Sequence, residues 1–114
     1  MKVIIAGSRG ITDIKLVEEA IRDSGFEITE VVSGCARGVD SLGESWAATH
    51  GISVKKFPAK WEENGKKAGY LRNIEMAKYA DALIAIWADS SPGTKHMIKA
   101  AQDRSLKVHV RSII

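Results

Sequence analysis

The sequence predicts one α/β domain built on a parallel sheet of about five strands. Three observations predict it. Short apolar runs alternate with segments of helical periodicity. The most apolar run, Ala82-Leu83-Ile84-Ala85-Ile86, is continuous rather than alternating, as suits a strand covered on both faces. Glycine-bearing turns stand where strands hand over to helices, at Gly7–Gly10, Gly34–Gly38 and Pro92–Gly93.

Each element follows from its own pattern. Val3 to Ala6 reads as a short buried strand, stopped by Gly7-Ser8-Arg9-Gly10. A helix is expected from Asp13 to Ser24, with Ile14, Val17, Ala20 and Ile21 on one face and Gly25 ending it. Glu30 to Ser33 is the second strand. Val39, Leu42, Gly43, Trp46, Ala47 and His50 mark one face of the second helix, capped by Gly51, and Ile52 to Phe57 is the third strand. Pro58 to Ala68 is polar and without period, so a loop is expected. Gly69 to Ala80 reads as a helix with Leu71, Ile74 and Ala77 inward. Asp81 to Trp87 is the central strand and Ala88 to Gly93 a loop. Thr94 to Arg104 is a helix with Met97, Ile98 and Ala101 inward, Leu106 to Val110 a last strand, and Arg111 to Ile114 an apolar-ended tail. Strands alternating with helices in this way form right-handed βαβ units.

Composition narrows the function classes. The chain has 114 residues, 45% hydrophobic and 27% charged, which fits a single domain over 1–114. Cys35 is the single cysteine, so an intrachain disulfide and a cysteine-rich metal site are excluded. At a helix start its thiol pKa would fall, but a small buried residue is the expected role. The longest apolar run, Ala82 to Ala88, is too short to span a bilayer, and the apolar stretch after Met1 is too short for a signal peptide. These features point to a cytoplasmic protein with no membrane partner. The net charge of +3 is spread along the chain and makes nucleic acid an unfavoured partner.

The turns carry the chemistry. In a parallel sheet, ligands bind beyond the carboxyl ends of the strands. A helix N-terminus there presents N–H groups and partial positive charge to anions. Gly7-Ser8-Arg9-Gly10 adds a hydroxyl and a guanidinium; Gly34-Cys35-Ala36-Arg37-Gly38 adds a second guanidinium and then Asp40; Pro92-Gly93-Thr94-Lys95 adds a hydroxyl and an ammonium. Any one of these turns is explained by the ordinary need for glycine between strand and helix. Three sharing one edge favour a phosphate-containing ligand. Arg72 and Asn73 lie on the helix before the central strand, where Arg72 and Glu75 would otherwise form an i,i+3 surface pair. Trp61 and Trp87 are candidates either for stacking on a base or for covering the core edge.

Stricter signatures are absent. There is no Gly-x-x-x-x-Gly-Lys-Ser/Thr loop, no dinucleotide fingerprint at the right spacing, and no Gly-x-Ser-x-Gly elbow. His50, His96 and His109 lack metal-ligand spacing, so neither a metal nor a cofactor is expected.

Together, Ile5-Ala6-Gly7-Ser8-Arg9, Val31-Val32-Ser33-Gly34-Cys35-Ala36-Arg37-Gly38-Val39-Asp40, Phe57-Pro58-Ala59-Lys60-Trp61 and Ala68-Gly69-Tyr70-Leu71-Arg72-Asn73-Ile74-Glu75-Met76 resemble the YspA-like branch of the SLOG superfamily. That superfamily includes the Lonely Guy phosphoribohydrolases and the DNA-processing protein DprA. The resemblance implies a Rossmann-like three-layer sandwich, a pocket for nucleotides or nucleotide-derived ligands, and a homo-oligomer. In the Lonely Guy enzymes an Arg-x-x-Glu-Met helix precedes an apolar strand and a Pro-Gly-Gly-x-Gly-Thr-x-x-Glu turn, and the helix Arg and final Glu are the catalytic pair. Arg72, Glu75 and Met76 match that helix. The turn departs: Gly93-Thr94 is kept, but Met97 stands at the position of the catalytic Glu. Methionine cannot act as acid, base or charge stabiliser. Asp40, Asp89 and Glu75 are the carboxylates left as candidates beside Arg72.

Three functions follow from this reading. The first is a nucleotide-binding sensor, sequestering protein or regulator, holding its ligand with Gly7, Ser8, Arg9, Gly34, Arg37, Gly38, Asp40, Trp61, Arg72, Asn73, Pro92, Gly93, Thr94 and Lys95. The second is a nucleotide hydrolase with a non-standard carboxylate. The third is single-stranded DNA binding, which the low aromatic content of 6% disfavours.

Overall fold

The computed structural model describes residues 1–88 and 91–113. Along the chain run β1 (Lys2–Gly7), α1 (Ile14–Ser24), β2 (Glu30–Ser33), α2 (Val39–Thr49), β3 (Ser53–Lys56), a one-turn helix α3 (Trp61–Asn64), a 3-10 turn (Gly65–Lys67), α4 (Ala68–Tyr79), β4 (Ala82–Ala88), α5 (Pro92–Asp103) and β5 (Lys107–Ile113). The strands form one sheet in the order β3-β2-β1-β4-β5, with every neighbouring pair parallel. This is the Rossmann-like α/β sandwich expected from the sequence.

Alternation along the strands builds the layers. Val3 and Ile5 of β1 join Ala82, Ile84 and Ile86 of β4 on one face, under α1 and α2. Ile4 and Ala6 join Leu83 and Ala85 on the other, under α4 and α5 through Met76, Ala77, Met97 and Ala101. The side chains of Ile4, Ile5, Leu83, Ile84 and Ile86 are fully buried. Burying each of these is worth about 1.5–3 kcal/mol before entropy is counted. α1 starts on Asp13, whose carboxylate accepts from the Lys15 N–H at 3.0 Å, and ends on Gly25 in the left-handed conformation.

The topology fixes where a ligand can sit. From β1 the chain winds outward through β2 to β3, then returns to the other side of β1 for β4 and β5. The strand order therefore reverses between β1 and β4, and the crevice beyond their carboxyl ends is the favoured binding place.

Three expectations are corrected. On α4, Leu71 and Ile74 are exposed, and the buried positions are Ala68, Asn73, Met76 and Ala77. The helix is rotated because Asn73 is drawn inward by hydrogen bonds, which no apolar template registers. The segment from Pro58 is not all loop: it holds α3 and the 3-10 turn. The tail from Arg111 continues β5, pairing Ile86 with Arg111 and Ala88 with Ile113. Ile113 thereby packs on the α1–α2 side of the core. Ile114 lies outside the described residues. Among the described residues no helix is long and apolar enough to cross a membrane.

Candidate functional site

A cavity of about 730 Å³ opens at the β1–β4 reversal. The turn after β1 supplies Gly7, Ser8, Arg9, Gly10 and Ile11. The turn into α2 supplies Ala36 and Asp40, α4 supplies Arg72, Asn73 and Met76, and the start of α5 supplies Ser91 to Thr94 and Met97. A smaller cavity of about 150 Å³ adjoins it, walled by Gly34, Cys35, Pro58, Ala59 and Trp61. Arg9, Ala36 and Arg72 line both.

The first two turns are built against each other. Gly38 has φ 74°, and a Cβ there would stand 2.4 Å from the Ser8 carbonyl oxygen and 2.6 Å from that of Arg9. Only glycine satisfies both the backbone and the space. The buried Ser8 ties the first turn to β4: its N–H donates to the Ile86 carbonyl at 3.2 Å, and its Oγ accepts from the Ala88 N–H at 3.0 Å. At α5, Pro92 occupies the first turn and no side chain caps the helix start, while Thr94 is buried with its hydroxyl 2.8 Å from that of Ser91.

Charge is concentrated on the β2–α4 side. The Asp40 carboxylate accepts from the Ala36 N–H at 3.2 Å and is 5% exposed. Burial pushes its pKa up to about 6, against the pull of that N–H and of Arg72. Arg72 donates through Nη1 to the Gly34 carbonyl and through Nε to the Asn73 Oδ1 at 3.0 Å. A Cβ on Gly34 would lie 2.7 Å from Arg72 Nη1 and 2.8 Å from Asp40 Oδ2, so glycine here makes room for both side chains.

Asn73 carries the arrangement across to α5. Its Nδ2 donates to the Gly93 carbonyl at 3.4 Å and stands 3.2 Å from His96 Nδ1. Partial burial lowers the His96 pKa, which favours the neutral ring that accepts this bond. The His96 ring lies against Tyr70 with centroids 4.5 Å apart.

The structure brings Gly7, Ser8, Arg9, Asp40, Arg72, Asn73, Pro92, Gly93 and Thr94 to the main cavity, and Gly34 and Trp61 to the smaller one. Four expected residues stand elsewhere. Gly38 lies behind the Ser8–Arg9 backbone rather than on the cavity. Arg37 precedes that glycine and is exposed. Lys95 is exposed because it follows the buried Thr94 by one residue, about 100° round the helix. Glu75 is exposed away from both cavities and forms no ion pair with Arg72 among the described residues. Asp89 lies outside the described residues.

Cys35 is exposed rather than buried, in the left-handed conformation at φ 63°. Desolvation and then Glu44 push its thiol pKa up, not down. Trp87 lines neither cavity.

Sequence reasoning missed Ile11, Ala36 and Met76 as cavity-lining residues; His96 lines neither of these two cavities and joins the site only through Asn73. Met76 and Met97 are 1% exposed and form the boundary between core and cavity, so their apolar spacing reads as plain core. Among the described residues no three His, Cys, Asp or Glu side chains gather to hold a metal.

Comparison with known proteins places the chain in a family. The model of the family described as YspA, cpYpsA-related SLOG matches residues 1–63. The Gene 61 protein of Mycobacterium phage D29 is 38% identical over 117 residues, covering 94% of this chain and 93% of that protein. The DNA processing protein A (DprA) of Streptococcus pneumoniae superposes with a TM-score of 0.77 over 96% of this chain at 20% identity. The chain spans about half of DprA, 49% of its length, and the likeness is one of fold. A family match over more than half the chain, and a relative aligned nearly end to end, show that the chain belongs to the YspA, cpYpsA-related SLOG family.

Proposed function

We propose that the protein binds a nucleotide or nucleotide-derived ligand in the 730 Å³ cavity and acts as a sensor, sequestering protein or regulator rather than as a hydrolase. The observation that carries this reading is Met97. It lies on the cavity wall, buried, where the Lonely Guy pattern has its catalytic Glu. An N-glycosidic bond breaks through a cation-like sugar that needs a carboxylate nearby. A cavity with Arg9, Arg72 and a helix start for phosphate, but Met97 in that place, gives affinity without turnover.

The test is calorimetry with a panel of nucleoside mono- and diphosphates, paired with an assay for released base. Micromolar binding with no base released supports the reading; base release at several turnovers per minute counts against it.

One observation favours a second reading. Asp40 is a buried carboxyl on the cavity wall with a pKa of about 6, suited to carrying a proton near neutrality. If base is released, and is lost in Asp40→Asn, the protein is a hydrolase that uses this carboxylate.

We further infer a homo-oligomer. Its support is the exposed side chains of Tyr70, Leu71 and Ile74, presented by the same helix as Arg72. A cytoplasmic setting agrees with the lone Cys35. Single-stranded DNA enters the binding panel as a control for the DprA-like fold.

A further inference from the structure

We propose that the ligand of this site is two-headed: two planar ring systems joined through phosphate, with one ring in the main cavity and the second against Trp61 in the smaller one. The inference rests on the nucleotide-binding reading and specifies the chemistry of the ligand.

Two cavities meet at a cationic junction. Arg9 and Arg72 line both, with the small residue Ala36 between the turns. A phosphate at this junction would meet the two arginines that border both cavities. Arg72 is already aimed: its Nε and Nη1 are held by Asn73 and Gly34, and Nη2 has no hydrogen-bond partner among the described residues. An arginine fixed in this way loses little freedom on binding an anion.

The two cavities differ in character. The large one is walled by helix starts and small polar groups from Ser8, Asn73 and Thr94. At about 730 Å³ it is of a size to take a nucleoside phosphate. The small one, about 150 Å³, holds no carboxylate and is walled by Pro58, Ala59 and the Trp61 indole. That volume suits a single planar ring system, not a second sugar phosphate.

Trp61 is the unexplained residue. It is 53% exposed and belongs to neither core cluster. Its ring edge lies along α4, where a Cβ on Gly69 would stand 3.6 Å from the indole and 3.7 Å from Arg72 Nη2. The indole therefore stands next to the guanidinium that would hold the phosphate. An exposed tryptophan beside an arginine offers stacking to any base without reading its edge.

Calorimetry on the intact chain tests this with three probes: AMP, the 3′,5′-linked dinucleotide pApA, and a pyrophosphate-linked dinucleotide such as NAD. At least one two-headed probe should bind about tenfold or more tighter than AMP, the worth of one base stacked on an aromatic ring. Trp61→Ala should remove that gain while weakening AMP much less, with a urea unfolding curve like that of the parent protein showing the variant to be folded; Trp61→Phe should keep most of the gain. The probe that gains tells a phosphodiester from a pyrophosphate bridge. If AMP binds and neither two-headed probe gains, the proposal is overturned while the nucleotide-binding reading stands. If Trp61→Ala weakens AMP as much as the two-headed probes, one base occupies the small cavity and the proposal is likewise overturned. Binding by none of the three overturns this inference, and failure of the wider nucleotide panel would overturn the parent reading as well.

Discussion

Arg72 on α4 donates to the carbonyl of Gly34 at the end of β2, bridging 38 residues of sequence and forming a wall shared by the two cavities. A side chain at position 34 would collide with that guanidinium and with the Asp40 carboxylate. The wall thus depends on a residue with no side chain and on one with a very long one.

Arg72→Ala should weaken nucleotide binding by roughly 1.5–3 kcal/mol, the worth of a charge-assisted hydrogen bond. Arg72→Lys should not restore it, since a single ammonium cannot hold Gly34, Asn73 and a phosphate together. Calorimetry on both variants checks this; unchanged affinity in Arg72→Ala would show that the ligand sits elsewhere.

Gly38→Ala should lower stability by at least about 2 kcal/mol, because it adds a left-handed backbone penalty to a contact with the Ser8 carbonyl. Gly10→Ala, where a Cβ meets nothing within 4 Å, is the control and should change little. Urea unfolding of the pair measures the difference.

Asp40 makes stability depend on pH in a definite direction. Its folded pKa, about 6, lies above its ordinary 3.8, so the folded state holds the proton more tightly than the unfolded chain. This contribution is full below about pH 3.8 and is lost as pH rises through 6, by about 3 kcal/mol in all. Asp40→Asn should lack this decline. Unfolding free energies of the two proteins from pH 4 to 7 should therefore converge toward pH 4 and diverge in favour of the variant by pH 7; parallel curves would contradict the shift.

Light scattering should give a mass of at least twice the 12.4 kDa of one chain at micromolar concentration. Replacing Leu71 and Ile74 together by Lys should return it to the single-chain value, since both are exposed and leave the α4 core contacts intact. A wild-type mass near 12.4 kDa would reject the oligomer.

The sheet was legible because burial on two faces leaves a local mark. The run from Ala82 to Ile86 has no polar interruption, and it is the strand flanked by β1 and β5. The glycine turns were legible because close backbone approach admits few residue types. The orientation of α4 was not legible: its inward face includes Asn73, held by Gly93 and His96, partners 20 and 23 residues away. The continuation of β5 past Val110 was hidden for the same kind of reason. Arg111 belongs to the strand because it pairs with Ile86 and reaches Glu19 at 3.1 Å, and neither partner is local. Of the site, most residues on the turns could be read from the chain, whereas Met76 faces the cavity only through the rotation of α4.

The account stands most directly on where a nucleotide binds. An amide-resolved NMR titration of the labelled protein with nucleoside mono- and diphosphates measures this. The account predicts saturable shifts confined to Gly7–Ile11, Ala36, Asn73 and Gly93–Thr94, together with the Arg72 Nε–H signal. Shifts centred instead on the open edge of β5, from Lys107 to Ile113, or no shift with any nucleotide at millimolar concentration, would contradict it.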